Sequence, residues 1–215
     1  MKLYGGLLSP FVRKVAVVLE EKGLDWELVS ISPNTPDPDF NAASPFGKIP
    51  ALCDGDFSLA DSSAIAIYLD AKYPSSPMLP VEPTARGKAM WFDEYADTIL
   101  GASGLKIVFN RLVGPKLFKL PGNEELASQG EAELPRILDY LEGVAPAQGW
   151  LDGDFSLGDI SVASMLTTMN YAGHGPNAAA YPRTAAWYDR VAARPSWTTV
   201  AAMEAPLAER LAALA

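Results

Sequence analysis

Over the first 75 residues the spacing of hydrophobic positions changes period several times. Residues 2–4 read as a short strand; from residue 10 to 22, Val12, Val15, Ala16 and Leu19 recur at the spacing of one helical face, and Gly23 gives a natural stop. Residues 26–31 predict a second strand, which should lie parallel to the first because a helix joins them. The pattern then lapses. Pro33, Pro36, Pro38 and Pro45, set among acidic and small residues, predict an irregular connection with at most one helical turn. Residues 51–53 and 57–59 flank Asp54, Gly55 and Asp56, a hairpin pattern in which Asp-Gly supplies the positive φ of a tight turn. From residue 62 to about 73, Ile65, Tyr68 and Leu69 share a helical face, and Pro74 ends it.

The order βαβ then ββα is the thioredoxin-like arrangement. Pro74, Pro77, Pro80 and Pro83 follow as a stiff linker, since each proline restricts itself and the residue before it. No strand pattern appears beyond it. Residues 84–113 read as helix, weakened by Gly101 and Gly104 and broken at Gly114 and Pro115; residues 123–144 form a second helical stretch that Pro135 should kink or restart. Ser156, Leu157, Gly158 and Asp159 make a capping-box variant that opens an apolar run over 160–171. Pro182 opens a helix through Trp187 and Val191, and residues 201–213 form a last one. The expected fold class is α/β plus all-α: a thioredoxin-like βαβ-ββα domain over 1–76, a proline-rich linker over 77–83 and an all-helical domain over 84–215.

Composition narrows the chemistry. A net charge of -9 in 215 residues disfavours nucleic acid, which needs clustered Lys and Arg. The single cysteine, Cys53, excludes an intrachain disulfide and a CxxC pair, and the single histidine, His174, leaves no imidazole cluster for a transition metal. Cys53, inside an expected core strand, reads as a small hydrophobe and His174, between two glycines, as a turn residue. Residues 1–6 lack the apolar stretch of a signal peptide, and no run approaches the roughly 18 apolar residues of a membrane span. The expectation is a cytoplasmic protein with no membrane partner, whose chemistry comes from hydroxyls, carboxylates or a bound cofactor.

The most informative stretch is Phe46 through Leu52, followed by Asp61 and Ser62. Pro50 at the start of a buried strand removes a ladder N–H and is a place for a cis bond, which would turn the backbone of Ile49 outward to pair with an extended peptide. Lys48 offers an ammonium to one carboxylate. Asp61 offers an acidic partner for an amine, and Ser62, at a helix start, an N-terminus for a second carboxylate. A ligand with one amine and two carboxylates around an extended core is glutathione-like. Taken singly, each residue has a plainer reading: Ser9 before Pro10 is an ordinary helix start, Lys48 a surface lysine, Asp61-Ser62 a cap.

Together, Ser9-Pro10-Phe11, Lys48-Ile49-Pro50, Asp61-Ser62 and Ser156 through Asp159, in this order and spacing, resemble the cytosolic glutathione transferases along nearly the whole chain, and among them most the tau-type enzymes and related bacterial proteins. The resemblance implies that the thiolate of glutathione, the co-substrate, attacks a small hydrophobic electrophile; peroxidase, dehalogenase and non-catalytic ligand-binding roles occur as alternatives on the same scaffold. It implies that Ser9 donates its hydroxyl to the glutathione sulfur, while Lys48, Ile49, Pro50, Asp61 and Ser62 hold the peptide. Lowering a thiol from about 8.5 to about 6.5 requires roughly 2.7 kcal/mol, and one hydrogen bond to a charged acceptor contributes about 1.5 to 3. Tyr4 is the rival hydroxyl, and Arg13 either reinforces the thiolate field or is solvated. No Lys or Arg lies between residues 32 and 47, where many serine-type members carry one, so Lys48 is left to hold the glycyl carboxylate. An electrophile pocket between the domains would draw on Leu7, Leu8, Phe11, Tyr95 and Ile99. A homodimer is expected, with Phe46 either inserted into the partner subunit or folded back on its own domain.

Overall fold

The computed structural model describes residues 1–213. Strand β1 (Lys2–Gly5) leads into helix α1 (Pro10–Glu21) and strand β2 (Glu27–Ser30); helix α2 (Pro38–Ala43) then precedes the hairpin of β3 (Ala51–Asp54) and β4 (Phe57–Ala60), and α3 (Ser62–Lys72) closes the N-terminal domain. The sheet order is β2-β1-β3-β4, with β1 parallel to β2 and antiparallel to β3. Alternation assigns its two faces. Leu3 and Leu52 pack toward α1 and α3 with Val12, Ile65 and Leu69. Tyr4 and Ala51 face the other way, onto Phe40 and Ala43 of α2. This second face explains why the proline-rich connection holds a helix: Asp37 accepts the Phe40 N–H at 2.8 Å and Pro38 opens it, so Phe40 is carried onto the sheet.

The C-terminal domain is helical: α4 (Pro83–Glu94), α5 (Gly101–Val108), α6 (Glu124–Val144), α7 (Leu157–Asn170), α8 (Pro182–Ala192) and α9 (Pro195–Ala212). Wide π-type turns, Tyr95–Leu100 and Phe109–Phe118, join α4 to α5 and prolong α5. The expected break at Gly114 and Pro115 therefore does not occur. Proline lacks an N–H and clashes with the carbonyl four residues back; a widened turn relieves both, and the helix ends instead at Lys119, left-handed at φ 56°, where the Lys119 and Leu120 N–H groups both reach the Gly114 carbonyl. Likewise α6 runs on through Pro135, with no new start. Helix α9 begins at Pro195, earlier than expected, because Ser196, Trp197 and Val200 are already buried in it. Ser156 caps α7 as anticipated. Asp159 accepts the Ser156 N–H at 3.2 Å through Oδ2, and the Trp187 indole at 2.8 Å through Oδ1.

Helix α1 packs against both α7 and α9, so the first helix of the N-terminal domain lies on the core of the second. Among the described residues no helix is long and apolar enough to cross a membrane.

Candidate functional site

Strand directions gather the expected site residues at one end of the sheet. Because β3 runs against β1 and β4 against β3, the C-terminal end of β1, the N-terminal end of β3 and the C-terminal end of β4 share an edge. Ser9, Ile49-Pro50 and Asp61 leave the sheet there. Neighbouring strands lie about 4.8 Å apart, so the corners after β1 and β4 are separated by about 10 Å, the reach of an extended tripeptide. The other end of the sheet carries a shallow groove of about 510 Å³ lined by Lys2, Trp26, Glu27 and Cys53, remote from all of them.

Ser9 is the N-cap of α1 and half-buried. Its Oγ accepts the Val12 N–H at 3.4 Å, which uses a lone pair and leaves the hydroxyl proton to donate. Tyr4 does not compete. It is buried against Phe40, with ring centroids 6.0 Å apart, on the α2 face of the sheet. Burial, then the nearby Cys53 and Asp39, raise its pKa, so it stays a neutral phenol. The half-buried Cys53 places its Sγ 3.4 Å from the Ser58 hydroxyl.

The Ile49–Pro50 peptide is cis, and β3 takes up its pairings only at Ala51. Lys48 is exposed, and its backbone is clasped by Ser44: the Lys48 N–H donates to Ser44 Oγ at 3.0 Å, and that hydroxyl donates to the Lys48 carbonyl at 2.7 Å. Gly47, at φ 63°, tucks under Asn34, whose N–H reaches its carbonyl at 2.9 Å; a side chain at 47 would run into Asn34. Phe46 projects from this braced loop, 85% exposed, so it does not fold back on its own domain.

Asp61 sits at φ 80°, ψ 126°, a conformation costing an L-residue about 1 to 3 kcal/mol. Its own carboxylate holds it there. Oδ1 accepts both the Ser63 and Ala64 N–H groups, at 3.1 and 2.9 Å, leaving Oδ2 for a ligand amine. The Ile65 N–H goes to the Asp61 carbonyl, so α3 does not offer the open helix end expected from sequence. What remains is the N–H and hydroxyl of Ser62, which is buried, so a carboxylate would meet it at one point.

The electrophile residues divide. Leu8 and Phe11 are half-buried beside Ser9, whereas Leu7 is packed into the core. Tyr95 and Ile99 require correction: they line a cavity of about 640 Å³ between α4 and α6, not the space beside Ser9. Asp93 and Asp97 turn toward α1, and Tyr95, two residues along, points about 200° away; its hydroxyl donates to the Ile137 carbonyl at 2.8 Å. The helical residue that does reach the Ser9 turn is Thr168, whose hydroxyl donates to the Leu8 carbonyl at 2.8 Å. Arg13 is not solvated: it is buried, and paired with Glu204 of α9. Lys14, beside it, meets Asp93 and Asp97 at 2.7 Å each, and Ser63 donates to Asp93 at 2.6 Å. His174 closes a turn and approaches Glu131 at 3.1 Å. Among the described residues no cluster could hold a metal ion.

Sequence reasoning missed Lys14, Ser44, Ser63 and Thr168. Thr168 carried the one readable signal, a hydroxyl that α7 shares with Ser161, Ser164 and Thr167 and that seeks a partner when buried.

Residues 3–77 match the N-terminal domain of glutathione S-transferases, and residues 124–190 their C-terminal domain. Glutathione S-transferase 3 of Zea mays is 38% identical over 214 residues, covering 96% of each chain. A glutathione S-transferase structure from Rhodospirillum rubrum F11 superposes with a TM-score of 0.84 at 29% identity, over 93% of this chain and 90% of that one. Glutathione S-transferase-I bound with lactoylglutathione superposes at 0.82 and 29% identity, over 94% and 98%. The plant relatives are phi-class, which does not bear out the tau-type resemblance; Ser9-Pro10-Phe11 is a helix start too short to sort branches. The fold and these matches agree: the chain belongs to the glutathione S-transferase family.

Proposed function

We propose that the protein is a serine-type glutathione transferase acting in the cytoplasm, and that Ser9 stabilises the glutathione thiolate. The convergence of Ser9, Lys48 and Asp61 at one sheet edge, within the reach of a tripeptide, carries this reading. Glutathione lies along β3 with its backbone paired to Ile49 beside Pro50. Its glycyl carboxylate meets Lys48, and its γ-glutamyl end meets Asp61 and Ser62. The thiol proton leaves to solvent, the Ser9 hydroxyl donates to the sulfur, and the thiolate attacks a small hydrophobic electrophile held beside Leu8 and Phe11, adding to an activated double bond or displacing a leaving group such as chloride to solvent. Ser9 keeps its proton throughout; it lowers the energy of the sulfur anion rather than acting as a nucleophile.

Ser9→Ala should cut conjugation by roughly 10- to 150-fold while glutathione affinity holds within several-fold. Full activity in Ser9→Ala with loss in Tyr4→Phe would give the role to the other hydroxyl. The orientation has its own test: a ligand lacking glycine should bind Lys48→Ala and wild type alike, and equal losses for both ligands would reverse the assignment.

The same reading extends to a homodimer. Phe46 stands exposed on a braced loop, and the cavity between α4 and α6 is walled by Trp91, Tyr95, Ile137 and Tyr140, aromatic and apolar surfaces suited to a phenyl ring. Two-fold symmetry would use this contact twice. Phe46→Ala should cost about 2 to 4 kcal/mol of association, read by sedimentation over a dilution series. A wild type that sediments as a monomer at micromolar concentration would remove the dimer.

A further inference from the structure

The turn that presents Ser9 is anchored from the other domain, and the anchoring has a direction. Residues 6–9 close on themselves, the Ser9 N–H donating to the Gly6 carbonyl at 3.0 Å. On the opposite side of the same peptide unit, the Leu8 carbonyl accepts the Thr168 hydroxyl at 2.8 Å. The Leu8–Ser9 peptide plane is thus held from both sides. One tie is local, and the other comes from α7, where Thr168 is 1% exposed.

A threonine inside a helix ordinarily turns its hydroxyl toward the carbonyl four residues earlier. Here that carbonyl, of Ser164, accepts Arg13 Nη1 at 2.9 Å, and the same nitrogen donates to Thr168 Oγ1 at 2.8 Å. A guanidinium has donors only, so the threonine oxygen must accept from it, and its one proton is left for Leu8. The Arg13 plane is in turn fixed by Glu204, which accepts both Nε and Nη2. Helix α1 closes the circuit, the Arg13 N–H donating to the Ser9 carbonyl at 3.0 Å.

We propose that Thr168 is a positioning residue for catalysis: by fixing the Leu8–Ser9 peptide it sets the direction in which Ser9 Oγ–H points, a role that rests on Ser9 being the thiolate donor. Glutathione binding should be nearly indifferent to it. Lys48, Asp61 and Ser62 lie beyond β3 and β4 and share no hydrogen bond with this chain of groups. The loss should therefore appear in the state of the sulfur and in kcat, and hardly in affinity.

The test pairs Thr168→Val, which keeps the shape and removes the hydroxyl, with Thr168→Ser, which keeps the hydroxyl. Steady-state kinetics with a chloronitroaromatic electrophile are followed as a function of pH. For Thr168→Val, kcat should fall about three- to tenfold, and its acidic limb should move toward the ordinary thiol value near 8.5. The KM for glutathione should stay within about twofold, and Thr168→Ser should restore both kcat and the limb. A Thr168→Val enzyme with the wild-type limb and kcat overturns the proposal, as do equal losses in Thr168→Val and Thr168→Ser, which would mark a packing effect. Ser9→Ala is run beside them. A limb unmoved by Ser9→Ala contradicts the thiolate role of Ser9 itself; a limb moved by Ser9→Ala but not by Thr168→Val overturns the positioning role alone. Should Thr168→Val fold poorly, Thr168→Ala is read by the same quantities and the same outcomes.

Discussion

Arg13 and Lys14 are neighbours in α1, about 100° apart around its axis, and each is 1% exposed, yet they meet very different company. Arg13 faces one carboxylate, Glu204, and gives the two N–H groups of Nη1 to the Ser164 carbonyl and the Thr168 hydroxyl. Lys14 is shared by two carboxylates, Asp93 and Asp97, with the Ser63 and Ser161 hydroxyls donating to Asp93. The first cluster is charge-matched. The second holds one negative group too many when both carboxylates ionise, and burial pushes Asp97 up to about 6; Lys14 pulls it down, while Asp93 and Glu94 push it further up. The difference separates two kinds of interdomain joint. Beneath Ser9 lies a fixed scaffold, and beneath the Asp61–Ser62 corner, through Ser63, lies a titratable one.

The sharpest way to break this comparison is Glu204→Ala. It strands the Arg13 guanidinium in the interior, and unfolding in urea should show a loss of about 3 to 5 kcal/mol. A loss near zero would mean that water reaches Arg13 and that the scaffold is not rigid. Lys14→Met should cost less, about 2 to 3 kcal/mol at neutral pH, because Asp97 can take up a proton in response. That deficit should shrink as the pH is lowered; a deficit that stays constant would contradict the surplus carboxylate.

The last effect is a pH slope. Asp97 holds its proton more tightly folded than unfolded, about 6 against an ordinary 3.8, so folding takes up a proton between these values. The stability that goes with it is complete below about pH 4 and lost as pH rises through 6, at up to about 1.4 kcal/mol per pH unit. Asp97→Asn should remove that slope. Glu21 tilts the other way: burial raises its pKa, but hydrogen bonds from Arg194 and Ser196 outweigh this and lower it, so its contribution is lost as the pH falls. The difference between wild type and Asp97→Asn isolates the one from the other. No difference between them over this range would show that Asp97 is solvated.

Much of the N-terminal domain was legible because its signals are local. Period-two strands, the Asp-Gly hairpin and the Ser9-Pro10 start depend on neighbours in sequence, and the structure places each within a residue or two. Lys48 and Asp61-Ser62 read as two ends of one peptide site from sequence, whereas their convergence with Ser9 at one edge comes from the pairing of the folded sheet. The C-terminal domain was read less well. Gly114 and Pro115 obey rules for an α-helix, and the chain there winds in π-type turns that those rules do not cover. Tyr95 and Ile99 were misplaced because spacing along a helix says which residues share a face and not which neighbour that face meets. Arg13 reads as either a reinforcement of the thiolate field or a solvated charge, and Lys14 carries no signal of its own; Glu204, Asp93 and Asp97, far away in sequence, bring both inside. Thr168 was hidden similarly, its partner Leu8 lying 160 positions away.

The thiolate claim is tested most directly by titrating the glutathione sulfur itself. Glutathione bound to the wild-type protein, followed by the ultraviolet absorbance of its thiolate, should ionise about one to two pH units below the free thiol's value near 8.5, the range that one charge-assisted hydrogen bond from Ser9 supplies. A bound thiol that titrates where the free one does would show that the hydroxyl does not hold the sulfur as its anion, and would contradict the account.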